Sequence, residues 1–140
     1  MQTLAHFIMF SVSFLLHFFV VSGIMTNSLA NITFSLGKAY MATIMGLFMV
    51  MLDIAMRGTH LRRLIPFGGL SLLFIIFYRT QFGVCDTNFL REMKEHHSMA
   101  VLTSQQILKK TERKDVALLA QHLMVTQESE INEIEHLLDV

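Results

Sequence analysis

Three apolar segments crowd the first 82 residues and leave few folds open. Phe7 to Met25 is broken only by Ser11, Ser13, His17, Ser22 and Gly23, and Ala39 to Met56 carries one charge, Asp53. Leu64 to Tyr78 is shorter and extends toward Phe82. A helix needs roughly 20 mostly apolar residues to cross about 30 Å of hydrocarbon. Inside lipid the backbone must satisfy its own polar groups, so each run reads as a helix. The pattern predicts a membrane anchor over residues 1–82, with spans at about 7–25, 39–56 and 64–82. The last is short enough for Arg62, Arg63 and Arg79 to reach toward headgroups. Pro66 falls in its first turn, where a missing N–H does little harm.

Charge follows the same division. The chain holds 11 basic and 11 acidic residues, a balance that gives no general attraction to nucleic acid. Of the acidic residues only Asp53 precedes Asp86, so the tail is polar and the anchor is not. Apolar content of 53% and a single cysteine, Cys85, exclude a disordered chain and a disulfide scaffold. The link Arg57 to Arg63 (RGTHLRR) carries three arginines, whereas Thr26 to Gly37 carries no charge. The positive-inside rule then places the basic link in the cytoplasm and everything after Tyr78 outside. The implied location is a bacterial plasma membrane with a periplasmic C-terminal domain. A cleavable leader ending near Ser28-Leu29-Ala30 competes for the first segment, although no Lys or Arg precedes it. Either reading leaves the tail outside.

Ionisable groups inside apolar segments are costly and suggest function by default. His17 lies near the middle of the first segment, where an interhelical hydrogen bond is the expected role. Asp53 lies about one turn from the end of the second, placed to meet His6, Arg57 or interfacial water. Met41, Met45, Met49 and Met56 form a methionine-rich face, which packing explains without a metal path. Asn31-Ile32-Thr33 matches a glycosylation sequon very near the membrane. No phosphate-binding Gly loop or Ser-His-Asp arrangement is present, and we expect no enzyme.

The tail reads as two helices. Asp86-Thr87-Asn88 offers candidate N-caps before a pattern beginning at Phe89. At about 100° per residue, Phe89, Leu90, Met93, His97, Ala100, Val101, Ser104, Ile107 and Leu108 share one side. Lys109 to Asp115 interrupts, with Thr111 as a candidate cap, and Leu119, Leu123, Met124, Gln127, Glu130, Ile131, Ile134, Leu137 and Leu138 form a second stripe. Two stripes joined by a short polar link make an antiparallel hairpin over residues 86–140. So small a hairpin buries little by itself, and a homo-oligomer or packing on the anchor is expected. A turn near residue 112 sets His97 within a turn of both Gln127 and Glu130.

That cluster has two readings. One is a buried hydrogen-bond network that fixes helix register. The other is a metal site: imidazole suits copper, zinc, nickel and iron, and thioether sulfur shifts the choice toward Cu(I). The metal reading uses Met93, His96 and His97, with Gln127 and Glu130 as supporting or additional ligands. His122, Glu133 and His136 fall on the solvated side.

Phe89-Leu90-Arg91-Glu92-Met93-Lys94-Glu95-His96-His97-Ser98-Met99-Ala100 resembles the signature of the domain of unknown function 305 family. These are small ferritin-like helical proteins that include CopM-like copper-binding members. Leu119-Ala120, Gln127 and Glu130-Ile131 look like the second half of the motif. Phe34-Ser35, Tyr40-Met41-Ala42, Met45-Gly46 and Arg79-Thr80-Gln81 are similar to pieces of a membrane-anchored subgroup. The resemblance implies a role in metal handling or resistance, with copper as the ion and Met93, His96, His97, Gln127 and Glu130 as the matching positions. Two departures stand out. Lys94-Glu95 replaces the family's Ile-Pro, and Ile134 stands where methionine is common. The fold class expected is all-α: three transmembrane helices, then a ferritin-like two-helix hairpin.

Overall fold

The computed structural model describes residues 2–58 and 61–139. Thr59 and His60, from the basic link, lie outside the described residues. Among the described residues every regular element is helical, as expected for an all-α chain. The chain forms two compact units, Met1–Val21 with Leu36–Val84, and Ser22–Ser35 with Cys85–Val140. The expected boundaries, residues 1–82 and 86–140, therefore shift in one respect: Ser22–Ser35 belongs with the tail.

In the first unit, α1 (Gln2–Leu15) passes into a π-helical turn, Leu16–Val21. With α2 (Ser22–Met25) it makes one apolar run, Thr3–Met25, of 23 residues. That run and the 21-residue α3 (Leu36–Met56) are long and apolar enough to cross a membrane. Helix α4 (Leu64–Arg79), at 16 residues, is apolar but shorter than that length. Three spans were expected; two helices meet the length.

Helix α3 packs on both α1 and α4 and supplies the unit's buried side chains, among them Ala42, Leu47, Val50 and Ile54. The α1 crossing is close because position 46 is glycine: a Cβ there would stand 2.8 Å from the Phe10 ring. Small residues at such crossings let backbones approach. Asp53 meets the partners its position suggested. Its carboxylate accepts from Arg57 Nε at 2.8 Å and lies 3.3 Å from His6 Nε2. It thereby holds α1 against α3. His17 differs from expectation: it lies in the π-helical turn, and its side chain makes no hydrogen bond among the described residues. On the methionine face Met41, Met45 and Met49 are 36–40% exposed, and Met49 borders α1 beside Ala5, Ile8 and Met9.

In the second unit, α5 (Asp86–Leu108) and α6 (Lys114–Leu138) run antiparallel across the link at 109–113. Helix α5 starts earlier than the Phe89 pattern predicted. Cys85, with extended φ −95° and ψ 168°, is the N-cap, and Asp86, Thr87 and Asn88 lie inside the helix. Thr111 accepts from the peptide N–H of Arg113, which precedes α6. The buried side of α5 keeps Val101 and Ser104 of the predicted stripe and adds Glu92, Glu95 and Ser98. The cause is Ser22–Ser35, whose α2 and short 3₁₀ turn, Leu29–Asn31, pack against α5.

Candidate functional site

The antiparallel register brings His97 and Glu130 together. Nδ1 of His97 is buried and lies 2.9 Å from Oε2 of Glu130. The separation is that of a hydrogen bond, but the ring N–H is turned off the line to the oxygen. Gln127 Nε2 donates to the same oxygen at 3.1 Å. The His97 side chain is 20% exposed and that of Glu130 42%, so the pair sits at the rim of the seam and not at its dry centre.

The structure thus brings together three of the five predicted positions, His97, Gln127 and Glu130. Met93, half-buried, lies one turn before His97 on the same side of α5. His96 is exposed, because adjacent helical residues point about 100° apart. Among the described residues no three His, Cys, Asp or Glu side chains are grouped as a metal would need.

A second polar layer, which the stripe analysis missed, covers the other flank of α5. Ser98, fully buried, donates to Asn27 Oδ1 at 2.6 Å and accepts from the Asn27 peptide N–H at 3.0 Å. Glu95, 4% exposed, accepts from the Thr33 peptide N–H at 3.1 Å and from its hydroxyl at 3.2 Å. Thr33 in turn donates to the carbonyl of Arg91 at 2.6 Å. Lys94 donates to Ala30 O and pairs with Glu135 at 2.8 Å, which ties the segment, α5 and α6 together. Lys94 and Glu95 are therefore fastenings for Ser22–Ser35. The spacing of Glu92, Glu95 and Ser98, three apart, was the available signal. The sequon asparagine belongs to this layer too: Asn31 is buried and its Nδ2 donates to Asn27 Oδ1 at 2.9 Å.

Cys85 is exposed at the start of α5. The peptide N–H of Asn88, and next its side-chain amide 3.2 Å from Sγ, hold the thiol below its usual range. Helix N-termini favour a negative charge in the same way.

The model of the family described as domain of unknown function (DUF305) matches residues 79–139, which contain α5, α6 and every predicted site position. Uncharacterized protein L153 of Acanthamoeba polyphaga mimivirus is 31% identical over 134 residues, spanning 91% of this chain and 86% of that protein. That likeness therefore extends well beyond the hairpin into the apolar helices. No solved structure matches the chain. On these two matches, one on the hairpin and one along nearly the whole length, the chain belongs to the DUF305 family.

Proposed function

We propose that this is a membrane-anchored, non-catalytic metal-handling protein. Its hairpin takes a transition metal, copper above others, through Nε2 of His97 and the thioether of Met93. Glu130 and Gln127 stand behind the imidazole, and exposed His96 adds a donor at the rim. The observation that carries the reading is Glu130 at 2.9 Å from His97 Nδ1. A ligating imidazole usually gives its second ring nitrogen to a carboxylate or carbonyl, which fixes the tautomer and leaves the first free for the ion. A thioether beside it favours Cu(I). The charge of Lys94, which would oppose a cation, is occupied by Glu135 and Ala30. The ferritin-like assignment rests on the family resemblance and on the antiparallel packing of α5 and α6.

Chain parity supports three crossings, with α4 as the third. Thr26–Ser35 follows the first apolar run, and its Asn27 and Thr33 bond to α5, so both must lie on one side of the membrane. If α3 returns the chain to the opposite side, α4 must cross again to deliver the hairpin. At about 1.5 Å per residue it spans about 24 Å, and Arg62, Arg63 and Arg79 at its ends make up the difference. The three arginines of the basic link then face the cytoplasm, and the hairpin faces outward, to the periplasm in a bacterium. The same packing argues against a leader cleaved at Ala30, since cleavage would remove Asn27 from Ser98.

The second reading is a register-fixing network, favoured by the small number of grouped ligands among the described residues. Titration of the full chain in detergent with Cu(I), against a chromophoric chelator, separates the two. Saturable binding that falls at least tenfold in His97→Ala, and measurably in Met93→Leu, supports the metal site. Binding that is absent, or unchanged in His97→Ala, overturns it and leaves the network.

A further inference from the structure

Ser22–Ser35 and α6 leave a polar cleft between them that shares no residue with the His97 cluster. It measures about 320 Å³ and is lined by Asn27, Asn31, Glu128, Ile131, Asn132 and Glu135. Ile131, Asn132 and Glu135 follow Glu128 by three, four and seven positions, so one side of α6 carries all four.

Carboxylates on a helix face are ordinarily solvated, and Glu128 and Asn132 are exposed. Asn31 sets this cleft apart. It is 8% exposed, and a chain of hydrogen bonds fixes which way its amide points. The Ser98 hydroxyl accepts from the Asn27 peptide N–H, so its one proton goes to Asn27 Oδ1. The same oxygen accepts from Asn31 Nδ2 at 2.9 Å. Asn31 Oδ1 is left without a hydrogen-bond partner among the described residues, and the open space that Asn31 borders is the cleft. An acceptor held this deep is costly to leave unpaired, and a donor bound in the cleft removes that cost.

The charge of the lining selects the donor. From Glu128 to Asp139, α6 carries five carboxylates and neither lysine nor arginine. Lys94, which reaches this side from α5, takes one oxygen of Glu135 at 2.8 Å and is also held by Ala30 O. The second oxygen of Glu135 and both oxygens of Glu128 are left for a ligand, in a field that favours cations. Glu128 and Glu135 stand about 10 Å apart along the helix axis. Carboxylates so spaced do not converge on a metal ion, which holds its oxygens at about 2.0–2.6 Å. They match two ends of an extended organic cation, with Ile131 as an apolar floor between them.

We infer that the cleft binds a linear aliphatic polyamine, with ammonium groups on Glu128 and on the second oxygen of Glu135, an N–H on Asn31 Oδ1, and methylene groups over Ile131. Each ammonium–carboxylate contact is a charge-assisted hydrogen bond, the stronger kind.

The test is calorimetric titration of the full chain in detergent at low ionic strength, with spermidine as the probe. Saturable one-to-one binding is expected, weakened about tenfold in Glu128→Gln. Asn132→Ala should weaken it measurably. Glu133→Gln removes the same charge from another side of α6 and should leave binding unchanged. Butylamine, with one ammonium group, engages one carboxylate and should bind at least tenfold more weakly. Spermidine should also slow amide hydrogen exchange across 27–33, because it joins Asn31 to α6. Circular dichroism checks that each variant stays helical. Absent or unsaturable binding overturns the site, as does an equal loss in Glu133→Gln or unchanged exchange across 27–33. Butylamine binding as tightly as spermidine overturns the span between the two carboxylates.

Discussion

Ser98, fully buried on α5, and half-buried Asn27, 71 positions earlier, exchange two hydrogen bonds. The Ser98 hydroxyl donates to Asn27 Oδ1 and accepts from its peptide N–H. Replacing Ser98 by alanine removes both bonds, at about 0.5–1.5 kcal/mol for each. The expected result for Ser98→Ala is faster amide hydrogen exchange across 26–33, with little change on the outer face of α6. Unaltered exchange in that segment would mean that Ser22–Ser35 is held by other contacts.

The apolar runs and the hairpin were legible because both depend on composition and period. Lipid selects length and apolarity directly, and the charged run from Lys109 to Asp115 fixes where the hairpin turns. Once the turn is fixed, His97, Gln127 and Glu130 follow as neighbours. The return of Ser22–Ser35 to α5 was not legible. Asn27, Asn31 and Thr33 follow no period, and their partners Ser98 and Glu95 lie more than 60 residues away. A carboxylate such as Glu95 reads as solvated until a loop supplies two donors. The start of α5 was misplaced for a local reason: three good capping residues follow Cys85, yet the extended backbone lies at the cysteine.

Gly46 sets how closely α1 approaches α3. An alanine Cβ would meet the Phe10 ring at 2.8 Å and its carbonyl oxygen at 3.2 Å. The ring can rotate, but the carbonyl belongs to the helix backbone, so the helices must separate. Gly46→Ala is expected to cost about 1–3 kcal/mol, typical of overpacking. Gly69→Ala is the control, since nothing stands within 4 Å of its added Cβ. Thermal unfolding in detergent should show a lower midpoint for Gly46→Ala and an unchanged or higher one for Gly69→Ala. Equal midpoints would show that the crossing is not tight.

The Cys85 thiol should ionise more readily than an unstructured cysteine, because Asn88 donates to the sulfur. Depressing a thiol's folded value moves thiolate formation to lower pH. The rate of iodoacetamide alkylation against pH should therefore reach its midpoint below that of a cysteine in a short peptide. Asn88→Ala removes the side-chain donor and keeps the peptide N–H, so its midpoint should rise part of the way back. A wild-type profile that coincides with the peptide profile would remove the assigned cause.

Cys85 also reports on whether α4 crosses the membrane. It follows α4 directly and opens α5, whereas Arg62 precedes α4. If α4 crosses, the two positions face opposite sides. A membrane-impermeant maleimide applied to intact cells expressing the protein should label native Cys85 at once. Arg62→Cys in a Cys85→Ser background should label only after the membrane is opened. Labelling of both from outside would leave α4 lying on the surface. Ser22–Ser35 and the hairpin share one compact unit, so α3 would then have to fail to cross as well. The two labelling patterns thus decide between an anchor with three crossings and one with a single crossing, because an even number would part Asn27 from Ser98.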